Sequence, residues 1–131
     1  MSSITFDDLI YIHDSILQKT GGLTGIRDEG VIRSALSRPS QTAFGKEIHA
    51  DTYSKAAALL EAIANNHGFI DGNKRTAMAA ASLLLYNAEI DLAITNDQYE
   101  SFMIKVVTQK PTIDYISSWL EAHSKLLSNS D

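Results

Sequence analysis

The run His67-Gly68-Phe69-Ile70-Asp71-Gly72-Asn73-Lys74-Arg75-Thr76, followed by the apolar stretch Ala77 to Tyr86, decides how the chain is read. The apolar stretch is broken only by Ser82, and its alanines and leucines fall on every face of a helix. A helix of that kind is buried all round. This predicts a central helix from about Asn73 to Ala88 whose alanines let neighbours approach closely. The helix before it, predicted over 52–66, carries the stripe Tyr53, Ala56, Ala57, Leu60, Ile63 and Ala64. His67 continues that stripe at +7 from Leu60, +4 from Ile63 and +3 from Ala64. That spacing predicts an imidazole pointing inward.

Outward from this pair the pattern stays helical. Thr5 with Asp8 forms a capping-box pattern, and Phe6, Leu9, Ile10, His13, Ile16 and Leu17 then make one stripe. His13 on that stripe reads as a buried structural residue. Gly21-Gly22 ends the first helix. Asp28 caps a short second helix with Val31, Ile32, Ala35 and Leu36 inward, closed by Pro39. Ser40 to Asp51 is polar and aperiodic, an exposed loop or short hairpin. Tyr99, Phe102, Met103 and Val106 mark a fifth helix stopped by Pro111, and Ile113, Ile116 and Leu120, with Trp119 alongside, mark a sixth. Tyr99, Phe102 and Trp119 read as core. The expectation is an all-α single domain over 1–131 of about six helices, with its core at about 4–123 and a polar tail from Ser124 onward.

Composition narrows the function classes. With 44% hydrophobic and 21% charged residues, the 131-residue chain supports one ordinary core. It has no cysteine, which rules out disulfides and thiolate metal sites. The N-terminus lacks the basic start and apolar run of a signal peptide, and no apolar run reaches the roughly 18 residues of a membrane span. A cytoplasmic protein without membrane partners is expected. The formal charge of −5 speaks against direct nucleic-acid binding.

The loop itself points to phosphate chemistry. A helix N-terminus offers unpaired N–H groups and a positive dipole end, which together suit an anion. Lys74 and Arg75 in the first turn oppose that dipole, at about 0.3–1 kcal/mol each at a surface. A bound polyanion resolves the conflict. Asp71 is a carboxylate suited to Mg²⁺, which takes one or two carboxylates plus substrate phosphates. His67 has the intrinsic basicity to accept a proton near neutral pH. Phe69 is an apolar anchor for the loop. Asn73 stands where a P-loop has the glycine before its lysine, so G-x-x-x-x-G-K-[ST] is not matched.

This loop resembles the signature of the Fic/Doc superfamily, in the Doc version that carries Lys74 where AMP-transferring members have a second glycine. The likeness extends over residues 4 to 121, through Ile12-His13-Asp14, Thr20 to Asp28, Ala35-Leu36-Ser37-Arg38-Pro39 and Lys55-Ala56-Ala57-Ala58-Leu59-Leu60-Glu61. The resemblance implies a Fic-fold bundle that uses ATP with Mg²⁺ to modify a protein hydroxyl. It implies His67 as general base, Asp71 as metal ligand, and Gly72, Asn73, Lys74 and Arg75 as phosphate binders. It also implies a type II toxin–antitoxin role: phosphorylation of elongation factor Tu, translation arrest, and neutralisation by a Phd-type antitoxin. Residues Ser40, Thr42 and Phe44 correspond to the segment on which the family docks its target peptide.

Two departures favour phosphoryl over AMP transfer. Lys74 narrows the cradle and adds charge, and Met78 stands where the AMP-transferase motif has its second arginine. Gly68, where the family often has proline, is expected to loosen the loop. The family's inhibitory Ser/Thr-x-x-x-Glu-Gly/Asn motif is unmatched, because Glu29-Gly30 follows Thr24 one residue too late. Protein AMP transfer and a non-catalytic antitoxin-binding co-repressor stand as the alternatives.

Overall fold

Six helices form among the described residues, five of them started by a side-chain N-cap. The computed structural model describes residues 3–127. Helix α1 (Phe6–Thr20) starts at the Thr5–Asp8 capping box and ends at Gly21, whose φ is 77°. Helix α2 (Glu29–Ser37) is capped by the Asp28 carboxylate on the Val31 amide and runs into a 3₁₀ turn, Arg38–Ser40. The polar segment beyond is a hairpin of two two-residue strands, β1 (Thr42–Ala43) and β2 (Lys46–Glu47), pairing Thr42 with Glu47 and Ala43 with Lys46. Helix α3 (Thr52–Asn66) is capped by Asp51 and α4 (Asn73–Asn87) by Gly72. Strand β3 (Ile90–Leu92), α5 (Asn96–Gln109) with its Thr95–Gln98 capping box, α6 (Ile113–Ala122) and β4 (Ser124–Leu126) complete the chain.

The centre is the α3–α4 pair, not α4 alone. These two helices share the most extensive contact in the molecule, and α3 is also covered by α6 and the 3₁₀ turn. Eight residues of α3 are buried (Ala56 to Leu60 and Ala62 to Ala64) against seven of α4. On α4, Lys74, Arg75, Tyr86 and Asn87 face solvent, so the helix is not enclosed on every side. Four alanines on α3 and three on α4 are fully buried, and their small side chains permit the close approach.

The tail does not begin at Ser124. Strand β4 pairs antiparallel with β3, aligning Ile90 with Leu126 and Leu92 with Ser124, and the Leu127 amide donates to the Glu89 carbonyl at 2.9 Å. The polar character of Ser124 and Lys125 reflects an exposed strand at the edge of the bundle, not the end of its order. Residues 128–131 of the expected tail lie outside the described residues.

Gly68 packs rather than loosens. It is buried, and a Cβ built on it would lie 2.5 Å from Ile32 Cγ1 on α2. Its carbonyl accepts from the amides of Arg27 and Asp28 at 2.8 and 3.0 Å. The glycine lets α2 and the loop approach to contact. Gly68→Ala should therefore destabilise by about 1–3 kcal/mol through overpacking. In an Ile32→Ala background the same change should cost measurably less, and urea unfolding of the four proteins reads the coupling. Additive losses would show that the Ile32 contact is not what requires glycine here.

Candidate phosphate-binding loop and cleft

The loop between α3 and α4 is shaped by its own backbone before any ligand enters. Helix α3 stops because His67 takes the left-handed conformation, φ 54° and ψ 48°. Histidine is among the few non-glycine residues that adopt it with some frequency. The carbonyls left over at that helix end are capped by Arg27, whose Nε donates to His67 O at 2.6 Å and whose Nη2 donates to Asn66 O at 3.4 Å. Past the cap, Phe69 forms an isolated antiparallel bridge with Ile26, and the Ile70 amide donates to Gly25 O at 3.1 Å. The glycine-rich segment before α2 is thus the loop's outer wall.

Two side chains close the loop from within. The Asn73 side-chain amide donates to Phe69 O at 3.0 Å, and its oxygen accepts from Phe69 N at 3.1 Å. His13 of α1 stacks on the buried Phe69 ring at 3.8 Å between centroids and 9° between planes. Its Nε2 donates to the Asp71 carbonyl at 2.8 Å, a carbonyl oxygen being able only to accept, and Nδ1 lies 3.2 Å from Asp14 Oδ1. Phe69 and His13 are thus both buried, with the imidazole held between the Phe69 ring and the loop backbone.

Asp71 is not the N-cap of α4; Gly72 is, with φ 80° and no side-chain cap. The Asp71 carboxylate instead accepts from the Gly72 amide at 2.9 Å through Oδ1 and from the Leu23 amide at 3.2 Å through Oδ2. Gly22 must be glycine for this approach, since its φ is 124° and a Cβ there would sit 2.8 Å from Oδ2. Each carboxylate oxygen keeps a further acceptor direction. An exposed carboxylate of this kind fits Mg²⁺, with the remaining ligands from phosphates and water. Among the described residues there is no group of three or more His, Cys, Asp or Glu that forms a protein-only cage.

Asp71, Gly72, Asn73, Lys74 and Arg75 line one side of an open cleft of about 510 Å³, and Leu17, Tyr99, Met103 and Ile104 line the other. The amides of the first α4 turn have no earlier helical partner and present positive potential to this space. No acidic residue stands in that turn. Arg75 reaches across to Tyr99, its guanidinium carbon 4.9 Å from the ring centroid. Burial pushes the Tyr99 phenol above its ordinary value; Arg75 opposes the rise and Glu100 adds to it.

One sequence expectation, the inward His67, is corrected here. His67 is exposed and does not line the cleft, because a left-handed cap turns the chain out of the helical register on which the inward prediction rested. Asn73 lines the cleft while its side chain holds the Phe69 backbone. Tyr99 and Trp119 are both half-buried and packed against the core, Phe102 is buried and stacks on Trp119, and Tyr99 also walls the cleft. Met78 is buried and does not line this cleft. Of the docking candidates, Thr42 lies on β1 and Phe44 at the hairpin tip; Ser40 ends the 3₁₀ turn, its hydroxyl donating to Ser37 O at 3.3 Å. No helix of the described residues is long and apolar enough to cross a membrane.

A helical bundle with a cation-bordered loop at one helix N-terminus offers a candidate site for a phosphate-bearing ligand. The Fic/DOC family model matches residues 3–85. The chain is 39% identical to Toxin Doc of Mycolicibacterium smegmatis over 102 residues, 76% of this chain and 78% of that protein. It is 36% identical to Protein kinase doc of Escherichia phage P1 over 85 residues, 65% of this chain and 67% of that one. The chain belongs to the Fic/DOC family, and its relatives group it with the Doc toxins.

The His13 bond to Asp71 O should matter more than its contact with Asp14. His13→Leu keeps bulk but deletes the donor, and should lower the free energy of unfolding by about 1–3 kcal/mol. Asp14→Ala, on the exposed side of the ring, should change it by under about 0.5 kcal/mol. Urea melts of both variants check this; equal losses would mean that the loop carbonyl is not the important partner.

Proposed function

We propose that this protein is the toxin of a type II toxin–antitoxin pair. In this reading it transfers the γ-phosphoryl group of ATP to a serine or threonine hydroxyl of a protein, elongation factor Tu being the first candidate. The carrying observation is the cleft in which Asp71, the α4 N-terminus, Lys74 and Arg75 converge. The name Protein kinase doc of the phage relative supports the kinase reading.

In this reading the amides of Asn73 to Arg75, with the Lys74 ammonium and Arg75 guanidinium, hold the terminal phosphate and stabilise the charge that spreads over its oxygens during transfer. Asp71 would hold Mg²⁺, which would supply neutralising charge beside the phosphates. The exposed imidazole of His67 takes the proton of the incoming hydroxyl as its oxygen bonds to phosphorus. The bond from phosphorus to the bridging oxygen breaks and ADP leaves. An outward His67 suits a hydroxyl delivered on a second macromolecule, with the hairpin bearing Thr42 and Phe44, and Ser40 at its base, as the docking element by strand addition. A Phd-type antitoxin is the expected partner in trans.

The test is incubation with Mg²⁺ and ATP labelled separately on the γ-phosphate and on adenine, with purified elongation factor Tu or a bacterial lysate as acceptor. The γ-label alone should move, and His67→Ala should slow transfer by about 10²–10⁴-fold. Movement of the adenine label would make the protein an AMP-transferase. Label moving in neither case would leave the antitoxin-binding co-repressor.

A further inference from the structure

The hairpin cannot hold itself. It has two residue pairs, and hairpins of two strands are at best marginal alone even when longer. Its turn places Phe44 at φ 54° and Gly45 at φ 78°, the pattern of a type I′ turn. That turn favours Asn, Asp or Gly at both positions, so a bulky Phe44 is held in a conformation it resists. Phe44 is also fully exposed, at 105% relative to its reference. Something outside the hairpin must fix it.

One side chain does so. The Lys55 ammonium, on the first turn of α3, donates to Pro39 O at 3.3 Å, to His49 O at 2.8 Å and to the Glu47 carboxylate. Its three protons are matched by three acceptors, one before the hairpin, one on β2 and one after it. Lys55 is only 16% exposed, which strengthens these bonds relative to a surface pair. Beneath it Arg38 pairs with Glu61 of α3 at 3.2 Å, fixing the 3₁₀ turn to the same helix. The His49 imidazole is buried beside both cations; burial first, then Arg38 and Lys55, push it below its ordinary value, so it adds no charge to the knot.

We propose that Lys55 is the positioning residue of the hairpin: by tying Pro39, Glu47 and His49 to α3 it fixes where the Phe44 tip stands for a segment of the protein target. The target half of this inference rests on the function proposed above; the structural half does not.

Lys55→Met removes the ammonium and keeps the stem, and Glu47→Ala removes only the hairpin-side acceptor, on a residue more than half exposed. Hydrogen exchange on the full chain reads the Ile48 amide, which donates to Gln41 O at 3.0 Å across the hairpin base. Its exchange should quicken about ten-fold or more in Lys55→Met. Glu47→Ala should act in the same direction, with α3 and α4 amides unchanged. Unchanged Ile48 exchange in both variants would overturn the proposal. With elongation factor Tu as acceptor, Lys55→Met should raise the KM for that protein about ten-fold and leave ATP binding, read by calorimetry, as in wild type. A loosened hairpin with an unaltered protein KM would overturn the target half. Absence of transfer by the wild type would fail the functional reading alone, and the exchange result would still decide the role of Lys55.

Discussion

Asn73 commits its whole side-chain amide to the backbone of one residue, Phe69, four positions earlier, and the rest of the site depends on that small closed ring. Because the ring is closed, α3 can end at a left-handed His67 and α4 can begin at a left-handed Gly72 only a few residues on. The Phe69 side chain is then directed into the core, where His13 stacks on it and holds the next carbonyl but one. With its backbone fixed on both sides, the first turn of α4 presents amides, Lys74 and Arg75 to one cleft without waiting for a ligand to organise them. Preorganised donors of this kind cost no rearrangement when charge arrives.

Much of this was legible from residue types and spacing, and the failures share a cause. Caps and stripes gave the six helices and the α3–α4 break nearly to the residue, because apolar periodicity and capping are local signals. Periodicity misplaced His67, since the helical rule lapses at the first residue with positive φ. It also missed that the Gly22–Asp28 segment walls the loop. That contact is made by backbone hydrogen bonds to residues some forty positions away, and the glycines were its only trace. The burial of α3 exceeds what its stripe predicts because five alanines dilute an apolar pattern while allowing the tightest packing. Ser124 and Lys125 looked like tail because an edge strand of three residues needs little hydrophobicity.

Two regions of different character flank α3. At its C-terminal end the loop is braced by stacking and reciprocal hydrogen bonds; at its N-terminal end a strained, exposed hairpin hangs on one ammonium. A rigid end suits a small, highly charged ligand whose phosphates must be met in register, and a lightly held one suits a surface that adapts to a macromolecule. Since α3 joins the two, its buried alanine face sets the distance between the regions as well as the core.

The loop is built by the protein alone, and hydrogen exchange of the Phe69 amide in the ligand-free chain tests this. This amide lies in the Asn73 ring. With the loop preformed, it exchanges as slowly as the amides in the middle of α3 and α4, through global unfolding only. Exchange as fast as an exposed turn, slowing only when Mg²⁺ and ATP are added, would contradict it and make the ligand the organiser of the loop.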